Sequence, residues 1–233
     1  VFEYAEDIFA LGQALIGTIN GQDAAKRPQL HVGIANGMPK LIAHRLLEPL
    51  LHLPESVRLI CHEADLQQLV SELGRHRFDV ILSDMPISPG TRLQTYNHSL
   101  GECAVAFCGS RQLAARLRHR FPQSLDGAPM FLPTTNIELR RNLDRWFAKH
   151  DITPRIVGEF DDSALIKEFG SGGAGIYPLP AAVVREARQQ YFVSHVGTLA
   201  DVRVRYYAIT TDRKLTNPSV MKISEIAREG LLS

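Results

Sequence analysis

Residues 158–180 read GEFDDSALIKEFGSGGAGIYPLP, and this segment decides the fold. Ile156 and Val157 form a short apolar run ahead of it, and Asp161 and Asp162 follow where the chain should turn into a helix. An Asp there accepts hydrogen bonds from the free amides of the first helical turn. Leu165 and Phe169, four apart, mark one helix face, and Gly170 is expected as the left-handed residue that ends the helix. A second strand is expected over Gly175 to Leu179, stopped by Pro180. Gly170, Gly172 and Gly175 also fit G-x-G-x-x-G, but a dinucleotide site needs a strand before the glycines and a helix after them. Here a helix precedes and a proline-punctuated strand follows, so the glycines read as a turn and no cofactor is expected.

Working outward, the same alternation recurs. LHVGIA from Leu30 is strand-like, Asn36-Gly37-Met38-Pro39 is a turn, and Leu41 to Leu51 carries a helical apolar stripe. VRLICHE gives the next strand. Asp65 caps a helix bearing Leu66, Leu69, Val70 and Leu73 at i, i+3, i+4 and i+7, with Gly74 past its end. FDVILSD is uniformly apolar, as in a strand buried on both faces. This β-α-β-α-β order predicts a parallel sheet. A second run begins at MFLPTTN, continues through the Leu139, Leu143, Trp146 and Phe147 helix face, and reaches RIVGEF and the opening segment. Two extended stretches, Leu93 to Cys108 and VRVRYYAITTD, separate the runs, and a last helix is expected over Pro218 to Leu232. Two α/β units joined by two extended crossings place a cleft between them.

The 233 residues are 45% hydrophobic and 22% charged, ordinary for a globular chain able to bury a core, and the net charge of +1 gives no basic surface for nucleic acid. Arg111, Arg116, Arg118 and Arg120 alternate with apolar residues at helical spacing and read as a solvated helix face. Three cysteines, Cys61, Cys103 and Cys108, are an odd number without C-x-x-C, and the economical reading is buried free thiols in a reducing, cytoplasmic compartment. No histidine pair has zinc spacing, and no run approaches the ~20 apolar residues of a membrane span. Residues 1–20 form a helix with a stripe through Phe2, Phe9 and Ile16 at three-and-four spacing, which needs cover from a partner helix or from its own domain.

HVGIANGMPKLIAHRLLEPLL, LVSELGRHRFDVILSD and GSGGAGIYPLP resemble the effector-binding domain of LysR-type transcriptional regulators, over nearly the whole chain. GEFDDSALIKEFG, ILSDMPI and LGECAVAF resemble its sodium/proton antiporter regulator branch. The resemblance implies two Rossmann-like subdomains joined by two crossover strands, the type II periplasmic-binding-protein-like fold. Residues 1–20 would end a linker helix, 26–101 with 206–233 form subdomain I, and 102–205 form subdomain II. It further implies a helix-turn-helix domain ahead of Val1 as the route to operator DNA, a homodimer or homotetramer using Phe2, Phe9 and Ile16, RNA polymerase as a further partner, and activation of an antiporter gene in response to sodium or lithium. Many relatives hold an organic acid on Ser or Thr of the first ligand turn; here that turn is Ala35-Asn36-Gly37-Met38-Pro39, which argues against a carboxylate effector.

In two-lobed α/β proteins a ligand lies beyond the carboxyl ends of the parallel strands. That gives four effector-binding clusters: Ala35, Asn36, Gly37 and Met38; His62, Glu63 and Asp65; Pro133, Thr134, Thr135 and Asn136; and Phe160, Asp161 and Asp162, with Tyr177 expected to line the same cleft. Helix capping accounts for most of these singly. Glu63, Asp65, Asp84, Asp161 and Asp162 all fall at strand ends, so the cleft should repel anions unless a basic group intervenes, and a small-molecule or monovalent-cation effector is expected, with sodium near Asp65, Asp161 and Asp162. No G-x-S-x-G or equivalent surrounds any Ser or Cys, so no enzyme is expected. The alternatives are a periplasmic solute-binding protein of the same fold and a LysR-type regulator of a small organic metabolite.

Overall fold

A computed structural model describes residue 12 and residues 28–54, 57–88 and 94–231. The stripe through Phe2, Phe9 and Ile16 lies outside the described residues. The strands are β1 (Gln29–Ala35), β2 (Arg58–Ala64), β3 (Val80–Ser83), β4 (Tyr96–Gly109), β5 (Pro129–Pro133), β6 (Arg155–Phe160), β7 (Tyr177–Pro180) and β8 (Ser194–Thr210). The α-helices are α1 (Lys40–Leu47), α2 (Leu66–Leu73), α3 (Arg111–Arg118), α4 (Glu138–Lys149), α5 (Ser163–Ser171), α6 (Val184–Tyr191) and α7 (Pro218–Ile226).

The parallel sheet expected near the N-terminus is present: β1 pairs with both β2 and β3 in parallel. The strand order is β2-β1-β3-β8-β4-β7, while β5 and β6 pair in parallel as a second sheet and Met130 of β5 bridges Ile176 beside β7. β4 and β8 run antiparallel along nearly their whole lengths, and they tie the halves together. The carboxyl end of β8 lies on β3 through Ile81–Ile209 and Ser83–Tyr207, whereas the carboxyl end of β4 lies on β7 through Val105–Pro180 and Cys108–Tyr177. One lobe is therefore built on β1–β3, the other on β5–β7, and two long strands pass between them. Their register slips between Ser99 and Gly101, and again between Ala104 and Val105; Gly101 sits at φ 128°, a conformation that strains any other residue.

The sequence pattern explains most elements. Asp65 caps α2 by accepting from the Gln67 amide at 2.8 Å, and Asp162 caps α5 by accepting from the Ala164 amide at 2.6 Å. Ile81 and Leu82 of β3 are fully buried, as a strand covered on both faces requires. Several expectations need correction. The helix expected to Leu51 becomes a 3-10 turn over Glu48–His52, because Pro49 has no amide to donate to the α ladder. The last helix tightens differently, ending as a π turn over Ala227–Leu231. Cys103 and Cys108 are buried, but Cys61 is exposed because β2 is a sheet edge.

The largest corrections fall on α5. Gly170 is helical and buried, and Gly173, at φ 86°, is the left-handed residue three positions later. A Cβ on Gly170 would stand 2.0 Å from the Tyr177 ring, so close approach between α5 and β7 is what requires glycine. The Leu165/Phe169 face points outward, and the buried face carries Ile166, Lys167 and Gly170. Phe169 keeps one apolar side covered by stacking near Phe131 and Phe160, with ring centroids at 6.0 and 4.9 Å.

Candidate functional site

The carboxyl ends of β1, β3, β5 and β6 converge on a cleft between the lobes. It has two connected parts. The inner part is a narrow crevice of about 700 Å³ including its open mouth, floored by the crossing strands through Val204 and Tyr206. Asn36, Gly37, Pro39, Leu41 and Asp84 close it from the first lobe. Pro133, Ile137, Phe160, Ile166, Lys167 and Val183 are among those closing it from the second. The outer part, about 1670 Å³ with its solvent, lies over the N-terminus of α2 and adds Ala35, Asp65, Ser83, Met85 and Asn136. Asn36, Gly37, Asp84, Ile137 and Asp161 belong to both, so the space is continuous.

Ten of the residues singled out from the sequence line this space: Asn36, Gly37, Asp84, Pro133, Phe160, Asp161 and Asp162 in the inner part, with Ala35, Asp65 and Asn136 in the outer. Others stand elsewhere. Met38 is fully buried in the first-lobe core, where its backbone amide closes the turn onto Ala35 at 2.8 Å. His62 packs its ring near Phe78 on the exposed edge strand, and Glu63 forms an ion pair with Lys40. Thr134 uses its hydroxyl on Asp161 and Asn136, while Thr135 is exposed. Tyr177 is not among the residues lining either part; its ring is fully buried against Gly170.

The carboxylates expected to make the cleft acidic mostly have partners within the fold. Glu63 is paired, Asp65 and Asp162 are engaged as caps, and Asp161 accepts from Thr134. Among the described residues no three His, Cys, Asp or Glu side chains come together as a cation cage. Asp84 is buried, and a Cβ on Gly37 would meet both its carboxylate oxygens at 2.6 Å. Burial pushes the Asp84 carboxyl above the usual carboxylate value, a shift its own backbone amide partly opposes. Glycine at position 37 therefore makes room for the buried Asp84 carboxyl.

The sequence reading missed Lys167. It lines the inner crevice at 4% exposure, and burial lowers its pKa, with Asp162 pulling the other way. The Tyr191 ring centroid lies 5.6 Å from the Lys167 Nζ. Ser163 and Tyr206 line the same crevice; the Ser163 hydroxyl is buried without a hydrogen-bond partner among the described residues, and the buried Tyr206 hydroxyl lies beside the Cys103 thiol. The sequence carried a signal for Lys167: it lies three residues before the glycine on which α5 packs, so it shares that glycine's inward face.

The lobes also touch beyond the cleft. Arg45 of α1 donates to the Ala182 carbonyl at 2.7 Å and pairs with Glu186 of α6 at 3.4 Å. Within the second lobe, buried Arg140 donates to the Pro133 carbonyl at 2.9 Å and to Asp144 and Glu159, which fixes the turn carrying Pro133. No described helix is long and apolar enough to cross a membrane.

Comparison with known proteins agrees with this architecture. The chain is 28% identical over all 233 residues, 76% of the relative's length, to the transcriptional activator protein NhaR of Escherichia coli strain K12, with the same figures for NhaR of Shigella flexneri. Full-length CbnR complexed with its target DNA matches with a TM-score of 0.71 at 16% identity, covering 97% of this chain and 78% of that one. The effector-binding domain of QuiR in complex with shikimate matches with a TM-score of 0.62 at 13% identity, covering 88% of this chain and 98% of that one. The family model described as the LysR substrate binding domain matches residues 23–231. The chain belongs to the LysR substrate-binding domain family.

Proposed function

We propose that the chain is the effector-sensing domain of a LysR-type transcriptional activator, and that a small molecule entering the inner crevice shifts the balance between lobe arrangements. The observation that carries this reading is the crevice itself, closed by side chains from both lobes and by the two crossing strands. A ligand there touches both lobes, so its affinity depends on their angle, and only such differential affinity moves the equilibrium. The hinge lies near Gly101-Glu102 and Arg205-Tyr206, dividing the chain into 26–101 with 206–233 and 102–205. Glu102 is paired there with both Arg203 and Arg205, which ties the crossings to each other. The output runs through operator DNA held by a helix-turn-helix domain, in a homodimer or homotetramer acting on RNA polymerase in the cytoplasm, with no catalysis.

A direct response to sodium or lithium is the second reading. It draws support from Asp161 and Asp162 at the cleft lip and from the similarity to NhaR. Melting curves in sodium, lithium, potassium and choline chloride at matched ionic strength, run beside a metabolite library, test both readings, since selective binding to the folded state raises the melting temperature. A metabolite-specific rise abolished by Ile137→Trp, which fills the crevice, supports the first. A sodium- or lithium-specific rise lost in Asp161→Ala supports the second, and no rise from any compound overturns the effector reading.

A further inference from the structure

The inner crevice brings together three polar groups, on Lys167, Ser163 and Tyr206, whose partners within the fold are few and weak. Lys167 is 4% exposed and, among the described residues, has neither an ion pair nor a hydrogen bond. The Ser163 hydroxyl is buried and unpartnered among the described residues, and the buried Tyr206 hydroxyl has the weakly bonding Cys103 thiol beside it. All three line one space whose other walls are mainly apolar: Leu41, Ile137, Leu139, Ile166, Val183 and Val204. A buried unpaired ammonium and a buried idle hydroxyl are each unfavourable, because desolvation is uncompensated until a partner arrives.

From this juxtaposition we infer that Lys167, with the hydroxyls of Ser163 and Tyr206, forms the head-group subsite for an organic anion whose body is apolar. This deepens the proposed effector site and rests on it. The sign of charge follows from the residues. Asp162 caps α5 through its Oδ1, Asp161 takes the Thr134 hydroxyl, and burial disfavours the charge on Asp84. Lys40 is engaged by Glu63. Lys167 thus forms no ion pair among the described residues, the capping carboxylate of Asp162 being the opposite charge that acts on it most strongly, and a carboxylate or comparable oxyanion seated in the crevice pairs with it directly. A free alkali cation would instead meet an ammonium.

The position also accounts for the first ligand turn. Ala35-Asn36-Gly37-Met38-Pro39 offers no hydroxyl, and Gly37 is filled from behind by the Asp84 carboxyl. The anion's partners lie on the opposite lobe, in the first turns of α5. Ser163 and Lys167 stand one helical turn apart there, so both face the same part of the crevice.

The test is a panel of matched acids, amides and amines of the same carbon skeleton, such as benzoate, benzamide and benzylamine with their three- to eight-carbon aliphatic counterparts, titrated into the chain and followed by calorimetry and thermal shift. At least one acid should bind at least tenfold tighter than its amide and amine. Lys167→Met should remove that preference, Lys167→Gln should behave alike should the methionine variant fold poorly, and Ser163→Ala should weaken the same acid several-fold. Amines binding as well as acids, no acid preferred over its amine, or an acid preference that survives both Lys167 variants would each overturn the anion subsite. Ile137→Trp separates the two levels: hits that are amines but are blocked by it overturn the anion subsite alone, while acid hits indifferent to it overturn the crevice as the effector site.

Discussion

Gly170→Ala isolates the contact that seats α5, and with it Lys167, against β7. The added Cβ would stand 2.0 Å from Cδ1 and 2.5 Å from Cε1 of Tyr177. Tyr177 is fully buried on a strand paired to β4, so its ring cannot swing into solvent. Restoring ordinary contact requires α5 or the ring to move by at least about 1 Å within a close-packed interior. Overpacking of this kind costs about 3 kcal/mol at the upper end of its usual range. Alanine returns about 1 kcal/mol through its better helix propensity. The net expectation is a loss of about 2 kcal/mol, or ~4–8 °C in melting temperature for a domain of this size. Urea and thermal melts of the single variant, and of Gly170→Ala with Tyr177→Leu, make the assay. The double variant should recover about 1 kcal/mol or more relative to the sum of the singles, since residues in contact couple. Were Gly170→Ala as stable as the parent or more so, the glycine would be acting as an ordinary helix end, and the packing of α5 on Tyr177 would be refuted.

Other consequences are open to direct measurement. Asp84→Asn should stabilise the chain at neutral pH: burial raises the folded-state pKa of Asp84, so the folded state holds its proton more tightly and stability is lost as pH rises from 3.8 through the folded value, a decline that denaturant melts between pH 4 and 8 should show flattened in the variant. Lys167→Met should flatten stability in the alkaline range, because the lowered folded pKa means the unfolded chain binds more protons between that value and 10.5, and parent stability rises with pH across this window. Asp65→Ala and Asp162→Ala should each lose about 1 kcal/mol in urea melts whatever the salt, as the caps of α2 and α5. Arg45→Ala removes a bond between lobes at 2.7 Å, and small-angle scattering should record a wider spread of lobe separations with melting almost unchanged, since partly exposed pairs contribute ~0–1 kcal/mol.

Local chemistry made much of the fold legible. Asp65 and Asp162 signal helix starts through a side-chain oxygen two residues from the amide it satisfies, and that relation needs no tertiary partner. The β-α-β-α-β alternation up to Ser83 implies parallel pairing because a helix returns the chain to the same end of the sheet. The turns at the carboxyl ends of these strands, including Asn36, Pro133 and Phe160, then fall on the cleft. Topology alone puts them there.

What tertiary structure decided is which side of each element looks inward and which charges remain free. Leu165 and Phe169 have the spacing of a buried face, yet Ile166, Lys167 and Gly170 are the ones covered, because the helix turns its smallest residue toward the Tyr177 ring. Cys61 sits in an apolar run and is exposed because β2 has a neighbour on one side only. Five carboxylates at strand ends are legible in the sequence, but only the closed chain shows that Lys40, Thr134 and two helix amides engage four of them and that burial disfavours the charge on Asp84. Sequence determines capping, periodicity and the order of elements because each acts over a few residues. The sign of the cleft depends on pairings between residues as distant as Lys40 and Glu63 and on the burial of Lys167, and such quantities exist only once the chain has closed on itself.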